Sequence, residues 1–209
     1  MLKVVPFIYD DKDDLCANTY LVFDDNKNCI VIDPSVATSK LGDYIKKNKL
    51  KLKAIVLTHT HFDHMRGVDI LANRYRCKLF VGVDDIIGLT DTTYNCSKSD
   101  NIYVETEAYP IADKEELFLL NEKFEVIYTP FHSMGSLCLY FKDSKIIFTG
   151  DTLFKHGIGR SDLESSNKRL IRDSLAKLKS LPDDVKVYPG HGEFTTIGDE
   201  KNVNLFIRN

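Results

Sequence analysis

Short apolar runs recur along the chain, set apart by polar turns and by stretches with helical spacing. Val4, Phe7 and Ile8 predict a first strand, and Thr19–Phe23 a second. Residues 29–32 form a third, joined to the second across the polar turn at residues 24–28 as a hairpin. Asp33-Pro34-Ser35 ends it, and Pro34 biases Asp33 towards an extended shape. Leu41, Tyr44 and Ile45 predict a helix over residues 39–49, and residues 54–57 a buried strand. Val68, Leu71 and Ala72 share one face of a helix over residues 65–75. A strand at 78–81 and a short helix at 84–89 follow. Further strands are expected at 116–120, 124–129, 137–141, 145–149 and 185–188. Residues 167–180, with Leu170, Ile171, Leu175 and Leu178 in register, are the clearest amphipathic helix, and residues 200–209 form a helical tail. Residues 90–116 show no period; so long a connection is expected to run near the mouth of a pocket. Helices interleaved with hairpins over the whole length imply layered α and β structure.

Composition narrows the class. A chain of 209 residues, 43% hydrophobic and 28% charged, fits one domain over residues 1–209. The net charge of −3 argues against a nucleic-acid partner. Lys46, Lys47, Lys49 and Lys51 read as a solvated helix end rather than a basic patch. The cysteines at 16, 29, 77, 96 and 138 are odd in number and hold no Cys-x-x-Cys. They are expected to be reduced and mostly buried, in a cytoplasmic protein. The first ten residues do not read as a signal peptide, and no apolar run reaches the ~20 residues of a membrane span.

The chemistry concentrates after the strand at 54–57, in His59-Thr60-His61-Phe62-Asp63-His64. Imidazole nitrogens and carboxylate oxygens are the usual ligands of zinc and similar cations. This spacing suits a loop that leaves a strand and turns into a helix, presenting ligands to two adjacent pockets. Such a loop serves two ions ~3.5–4 Å apart, as in dinuclear hydrolases. Three later strands run into His132, Asp151 and His191, beside Gly135, Gly150, Pro189 and Gly190. Each rigid strand would deliver one ligand into a loop. The candidate set is then His59, His61, Asp63, His64, His132, Asp151 and His191; of the six histidines only His156 stands outside it.

With those residues, and with Ile32-Asp33-Pro34, Gly150-Asp151-Thr152-Leu153-Phe154 and Pro189-Gly190-His191-Gly192 in the same order, the chain resembles the metallo-β-lactamase superfamily. The resemblance implies a four-layer αββα sandwich with two metals at one edge. It assigns His59, His61 and His132 to one ion and Asp63, His64 and His191 to the other, with Asp151 as the bridge. Within the superfamily the chain looks most like the glyoxalase II (hydroxyacylglutathione hydrolase) branch, in a short form without the C-terminal helical domain. Asp151 rather than cysteine as bridge, and the run on to Gly157-Ile158-Gly159-Arg160, carry that likeness. Arg160 is the candidate substrate-binding residue. The chain departs where the family has tyrosines, carrying Asp162 and Glu193; Phe131 stands for the glycine common before His132, and Arg66 for the one usual after His64.

The resemblance therefore implies a metal-dependent hydrolase of small acyl thioesters. Hydroxide bridging the metals would attack the carbonyl, with Asp63 and Asp151 orienting it. The all-nitrogen and oxygen ligand set suits zinc and is compatible with iron or manganese. Ser133 and Ser136, near His132, are read as loop hydrogen-bonders rather than nucleophiles. The competing readings are the same fold acting on lactones or other esters, β-lactams or phosphodiesters, a persulfide dioxygenase with a single iron, or a metal-stabilised binding module without activity.

Overall fold

The computed structural model describes residues 2–9, 15–36 and 39–208. Two six-stranded sheets pack face to face. The first holds β1 (Lys3–Phe7), β2 (Thr19–Phe23), β3 (Asn28–Ile32), β4 (Lys51–Val56), β5 (Lys78–Gly82) and β6 (Ala108–Ile111), in that spatial order. β1, β2 and β3 pair antiparallel, and β3 to β6 pair in parallel. The second holds β7 (Glu116–Leu117), β8 (Phe124–Tyr128), β9 (Leu137–Phe141), β10 (Ile146–Gly150), β11 (Lys186–Pro189) and β12 (Thr195–Thr196). Its neighbours are antiparallel except β10 and β11.

Side-chain alternation explains the layers. On β2, Tyr20 and Val22 point between the sheets, while Leu21 and Phe23 point to the outer face. Both faces are buried, so the strand reads as a continuous apolar run. The outer face of the first sheet is covered by α1 (Ser39–Lys47) and, after the single turn α2 (Phe62–Met65), by α3 (Val68–Tyr75), through Leu41, Ile45 and Leu71. That of the second is covered by α4 (Ile171–Lys179) and α5 (Ile197–Val203), through Leu178 and Ile197. The result is the expected four-layer αββα sandwich. No helix among the described residues is long and apolar enough to cross a membrane.

Several local expectations need correction. Asp33 is not extended: its φ is +49°. Three hydrogen bonds to its carboxylate, described below, hold the backbone against the preference set by Pro34. The helix expected over residues 65–75 is broken after the single turn Phe62–Met65, because the Gly67 N–H donates to the Pro34 carbonyl at 2.7 Å. Residues 90–116 contain the edge strand β6, where Pro110 is tolerated because a sheet edge needs no second partner. The helix expected over residues 167–180 begins as a 3-10 turn, Lys168–Leu170, with the Asn167 side chain accepting from the Arg169 N–H. The tail helix starts earlier than expected, at Ile197, because the Thr196 hydroxyl caps the Asp199 N–H at 3.0 Å; Asn209 lies outside the described residues. All five cysteines are free, but only Cys29 and Cys138 are buried.

The layout puts the C-terminal ends of β4, β8, β10 and β11 at one edge of the sandwich. There the Leu137 N–H donates to the Thr58 carbonyl at 2.9 Å, tying the two sheets together. The Gly190 N–H donates to the Gly150 carbonyl at 2.8 Å, setting the loops after β10 and β11 side by side.

Candidate metal centre

All seven predicted residues converge on that edge. Three groups have ligand atoms within 4.8 Å of one another: His59 with His61 and His132, Asp63 with His64 and His191, and His59 with His64 and Asp151. The last draws one member from each of the other two and adds Asp151. His156 lies outside them, in a left-handed turn with φ of +64°.

The surroundings decide which ring nitrogens carry protons. His64 Nδ1 lies 2.9 Å from Asp33 Oδ2, an acceptor, so Nδ1 donates and Nε2 is the nitrogen left to face the cluster. The Thr58 hydroxyl donates to the same Asp33 oxygen at 2.6 Å. Its oxygen is then free to accept from His59 Nδ1 at 3.2 Å, which leaves His59 Nε2 as a lone pair. His132 Nδ1 donates to the Arg160 carbonyl at 2.8 Å, so its Nε2 is the free acceptor facing His61 Nδ1, also at 2.8 Å. His61 Nε2 meets the Ser165 hydroxyl at 2.8 Å. With a proton on that nitrogen, two lone pairs face each other between His61 and His132.

Three buried atoms in the cluster have no hydrogen-bond partner: His59 Nε2, His64 Nε2 and Asp151 Oδ1. The last two are 3.3 Å apart, a charge contact that is not aligned as a hydrogen bond. Leaving such groups unpaired costs about 1–3 kcal/mol each. A divalent cation accepts lone pairs from all three, so the donor set fits a metal pair.

The electrostatics point the same way. Burial pulls His59 well below its ordinary pKa. Burial, helped by His132, takes His61 down to about 3. Burial opposes protonation of His64 too, but Asp63, Asp33 and Asp151 outweigh it and raise that imidazole well above its usual range. Burial works against the Asp63 and Asp151 charges, yet His64 holds both carboxyls below the ordinary carboxylate value. Neutral His59 and His61 beside the ionised Asp63 and Asp151 carboxylates favour a cation there, which would displace the proton that the carboxylates hold on His64.

Two buried carboxylates support the ligands. Asp33 also accepts from the Thr58 N–H at 2.8 Å, fixing the start of the histidine loop. Asp85 accepts from the Thr60 N–H (2.9 Å), Ser133 Oγ (2.8 Å), the Gly135 N–H (2.7 Å) and the Tyr94 hydroxyl (2.7 Å). It thereby joins the loop carrying His59 and His61 to the loop carrying His132. Ser133 and Ser136 bond within this loop, 2.7 Å apart, as expected. Sequence reasoning missed Asp85, Ser165 and the role of Asp33; only the quoted Ile32-Asp33-Pro34 segment pointed near any of them.

A depression of about 430 Å³ opens above the cluster, lined by Leu15, Phe62, Cys96, Phe154, Arg160 and Leu163. Residues 90–116 reach it only through Cys96 and through Asn95, whose carbonyl accepts from the Phe62 N–H at 2.9 Å. Arg160 stands at the mouth, but its Nε and Nη2 each donate to Asp162 at 2.8 Å. Glu193 pairs with Lys155. Phe131 is fully buried behind His132.

Residues 14–191 match the family described as the metallo-beta-lactamase superfamily. The chain is 32% identical over 195 residues to the probable metallo-hydrolase YqgX of Bacillus subtilis, covering 91% of this chain and 92% of that one. It is 32% identical over 197 residues to the hydroxyacylglutathione hydrolase GloC of Haemophilus influenzae, again covering 91% and 92%. Its structure is similar to that of the BLEG-1 B3 metallo-beta-lactamase, with a TM-score of 0.89, 29% identity and all of both chains covered. It is also similar to TTHA1623 in a di-iron-bound form, with a TM-score of 0.81, 30% identity and 91% and 94% of the two chains covered.

Proposed function

The chain belongs to the metallo-β-lactamase superfamily, and from that premise we propose that it is a two-metal hydrolase of small acyl thioesters, of the glyoxalase II type. In this reading His59, His61 and His132 would hold one ion, Asp63, His64 and His191 the other, and Asp151 would serve both. The observation that carries it is the position of Asp151: Oδ1 is 3.3 Å from His64 Nε2, and Oδ2 is 3.3 Å from His132 Nε2. One carboxylate thus faces both trios with different oxygens. The likeness to a hydroxyacylglutathione hydrolase supports the thioester assignment.

Bound divalent ions would acidify a water molecule and polarise a carbonyl oxygen. The chain supplies the positions. Asp63 and Asp151 would balance that positive charge and orient the water. Asp33 locks the His64 ring, and the Arg160 carbonyl locks His132. Zinc is the expected metal, with iron or manganese compatible with the same ligands. We take residues 1–209 as one domain, and the free thiols suit a cytoplasmic setting.

The test is a chelator-controlled panel of thioesters, lactones, nitrocefin and bis-phosphodiesters, with metal content measured on the same sample. About two metals per chain and thioester hydrolysis that stops with chelator are expected. Asp151→Ala should abolish turnover without unfolding the chain; a metal-stabilised binding module would lose stability and have no turnover to lose. Nitrocefin is included because of the likeness to a B3 metallo-beta-lactamase. Metal-loaded protein that prefers it to every thioester would overturn the thioester assignment.

A further inference from the structure

Two depressions meet at His191. One is the mouth over the cluster, with Leu15, Phe62, Phe154 and Leu163 as its apolar walls. The other, about 620 Å³, shares His191 and is walled by Ile8, Tyr9 and Phe194. Ile8, Leu15 and Phe194 are 56%, 59% and 40% exposed. Large apolar side chains gathered in water beside a cluster of charged groups mark a surface made to be covered by a ligand.

The charges around these depressions close on one another. Arg160 grips Asp162 with two bonds, both 2.8 Å. Lys155 pairs with Glu193, and Lys98 with Glu164. Arg66 donates to two neutral groups, the Leu15 carbonyl at 2.6 Å and Cys16 Sγ at 3.1 Å, but lines neither depression. Each of the three ion pairs sums to zero. A substrate carboxylate, such as the two of glutathione, would gain no net attraction from them.

Resting on the thioesterase reading, we propose that the lobe walled by Ile8, Tyr9 and Phe194 takes an uncharged apolar arm of the substrate. The preferred substrates are then neutral thioesters with an arm of several methylenes, not glutathione thioesters. Continuity fixes the occupant: His191 belongs to both depressions, so one molecule reaches both with its carbonyl at the cluster. Hydrolysis joins the oxygen of water to the carbonyl carbon and breaks the C–S bond. A carboxylic acid and a free thiol leave, the thiol carrying one hydrogen of the water.

The experiment compares N-acetylcysteamine thioesters of acetyl, butanoyl, hexanoyl and octanoyl groups with the matching S-acylglutathiones, on the metal-loaded full chain. In the neutral series kcat/KM should rise about two- to fourfold per methylene, and each neutral ester should exceed its glutathione counterpart. Ile8→Ser, at an exposed position, should cut the octanoyl-to-acetyl ratio about tenfold. A second readout needs no turnover. The uncleavable thioether S-octyl-N-acetylcysteamine is titrated into metal-free protein and followed by fluorescence of the chain's ten tyrosines, there being no tryptophan. It should bind, and Ile8→Ser should weaken it about five- to tenfold. A flat chain-length series, a preference for glutathione thioesters, or thioether binding indifferent to Ile8→Ser overturns the proposal and leaves the thioesterase reading standing. Metal-loaded protein that cleaves no thioester at all overturns both.

Discussion

Asp33 Oδ2 lies 2.9 Å from His64 Nδ1, with both side chains buried, and this contact aims His64 Nε2 at the cluster. The same carboxylate holds the Thr58 N–H and hydroxyl, so one residue sets the geometry of both His59 and His64. Asp33 does so from a left-handed backbone, with φ of +49°. Asparagine keeps the size but offers one acceptor oxygen in place of two. Asp33→Asn should therefore lower metal affinity about 10- to 100-fold, the usual cost of removing a partner that orients a ligand. Competition against a chromophoric chelator measures it; unchanged affinity would remove Asp33 from the site.

Gly190 has no room for a side chain. A Cβ there would stand 2.2 Å from Asp151 Oδ1 and 2.8 Å from His64 Cε1. Both belong to the group that joins the two trios. Gly190→Ala should push Asp151 aside and reduce the metal content from about two per chain towards one, with circular dichroism unchanged. Full occupancy by elemental analysis would show that Asp151 does not bridge.

These two residues show where sequence reading succeeds and where it stops. The β2–β3 hairpin was legible because two apolar runs flank polar residues, and Asp24 does close that turn by accepting from the Asn28 N–H at 2.9 Å. The cluster was legible because histidine is scarce and each candidate follows a strand. Asp85 was not, since an acid in the first turn of a short helix is common, and nothing nearby announces that Thr60 and Ser133 will fold over it. β6 was hidden because its middle residues, Tyr109 and Pro110, are exposed at a sheet edge and show no buried alternation. The break before α3 depends on a bond from Gly67 to the distant Pro34, which local periodicity does not carry.

Asp162 holds Arg160 through two of its guanidinium nitrogens, Nε and Nη2, yet the pair is exposed. An exposed pair is weak, so freeing Arg160 changes the field at the mouth more than the stability of the fold. Asp162→Asn should raise kcat/KM for S-lactoylglutathione about three- to tenfold at low ionic strength, with the gain fading as salt screens it. Neutral thioesters should change little. Equal gains for charged and neutral substrates would mean that the variant alters shape, not charge.

Metal binding should release protons. Metal-free protein keeps a proton on His64, whose pKa is raised well above its ordinary value because Asp63, Asp33 and Asp151 outweigh burial. His191 is also raised: its hydrogen bond to Asp63 and the charge of Asp151 outweigh burial. His59 and His61 are already neutral at pH 7, since burial holds them down, His61 at about 3. Loading the site at pH 7 should then release about one to two protons per chain, because ligating imidazoles must be neutral; a pH-stat titration counts them. Stability follows the same signs. The raised His64 stabilises the metal-free fold fully below about pH 6.5 and loses that contribution as pH rises through its folded pKa. The depressed His61 does the reverse: its contribution is present above about pH 6.5 and is lost as pH falls towards its folded value of about 3. Metal-free protein should accordingly melt at lower temperature at pH 4.5 than at pH 6.5 in a calorimeter, driven by His59 and His61. A melting temperature flat across that window, with no proton release on loading, would mean that the carboxylates and imidazoles do not share one field.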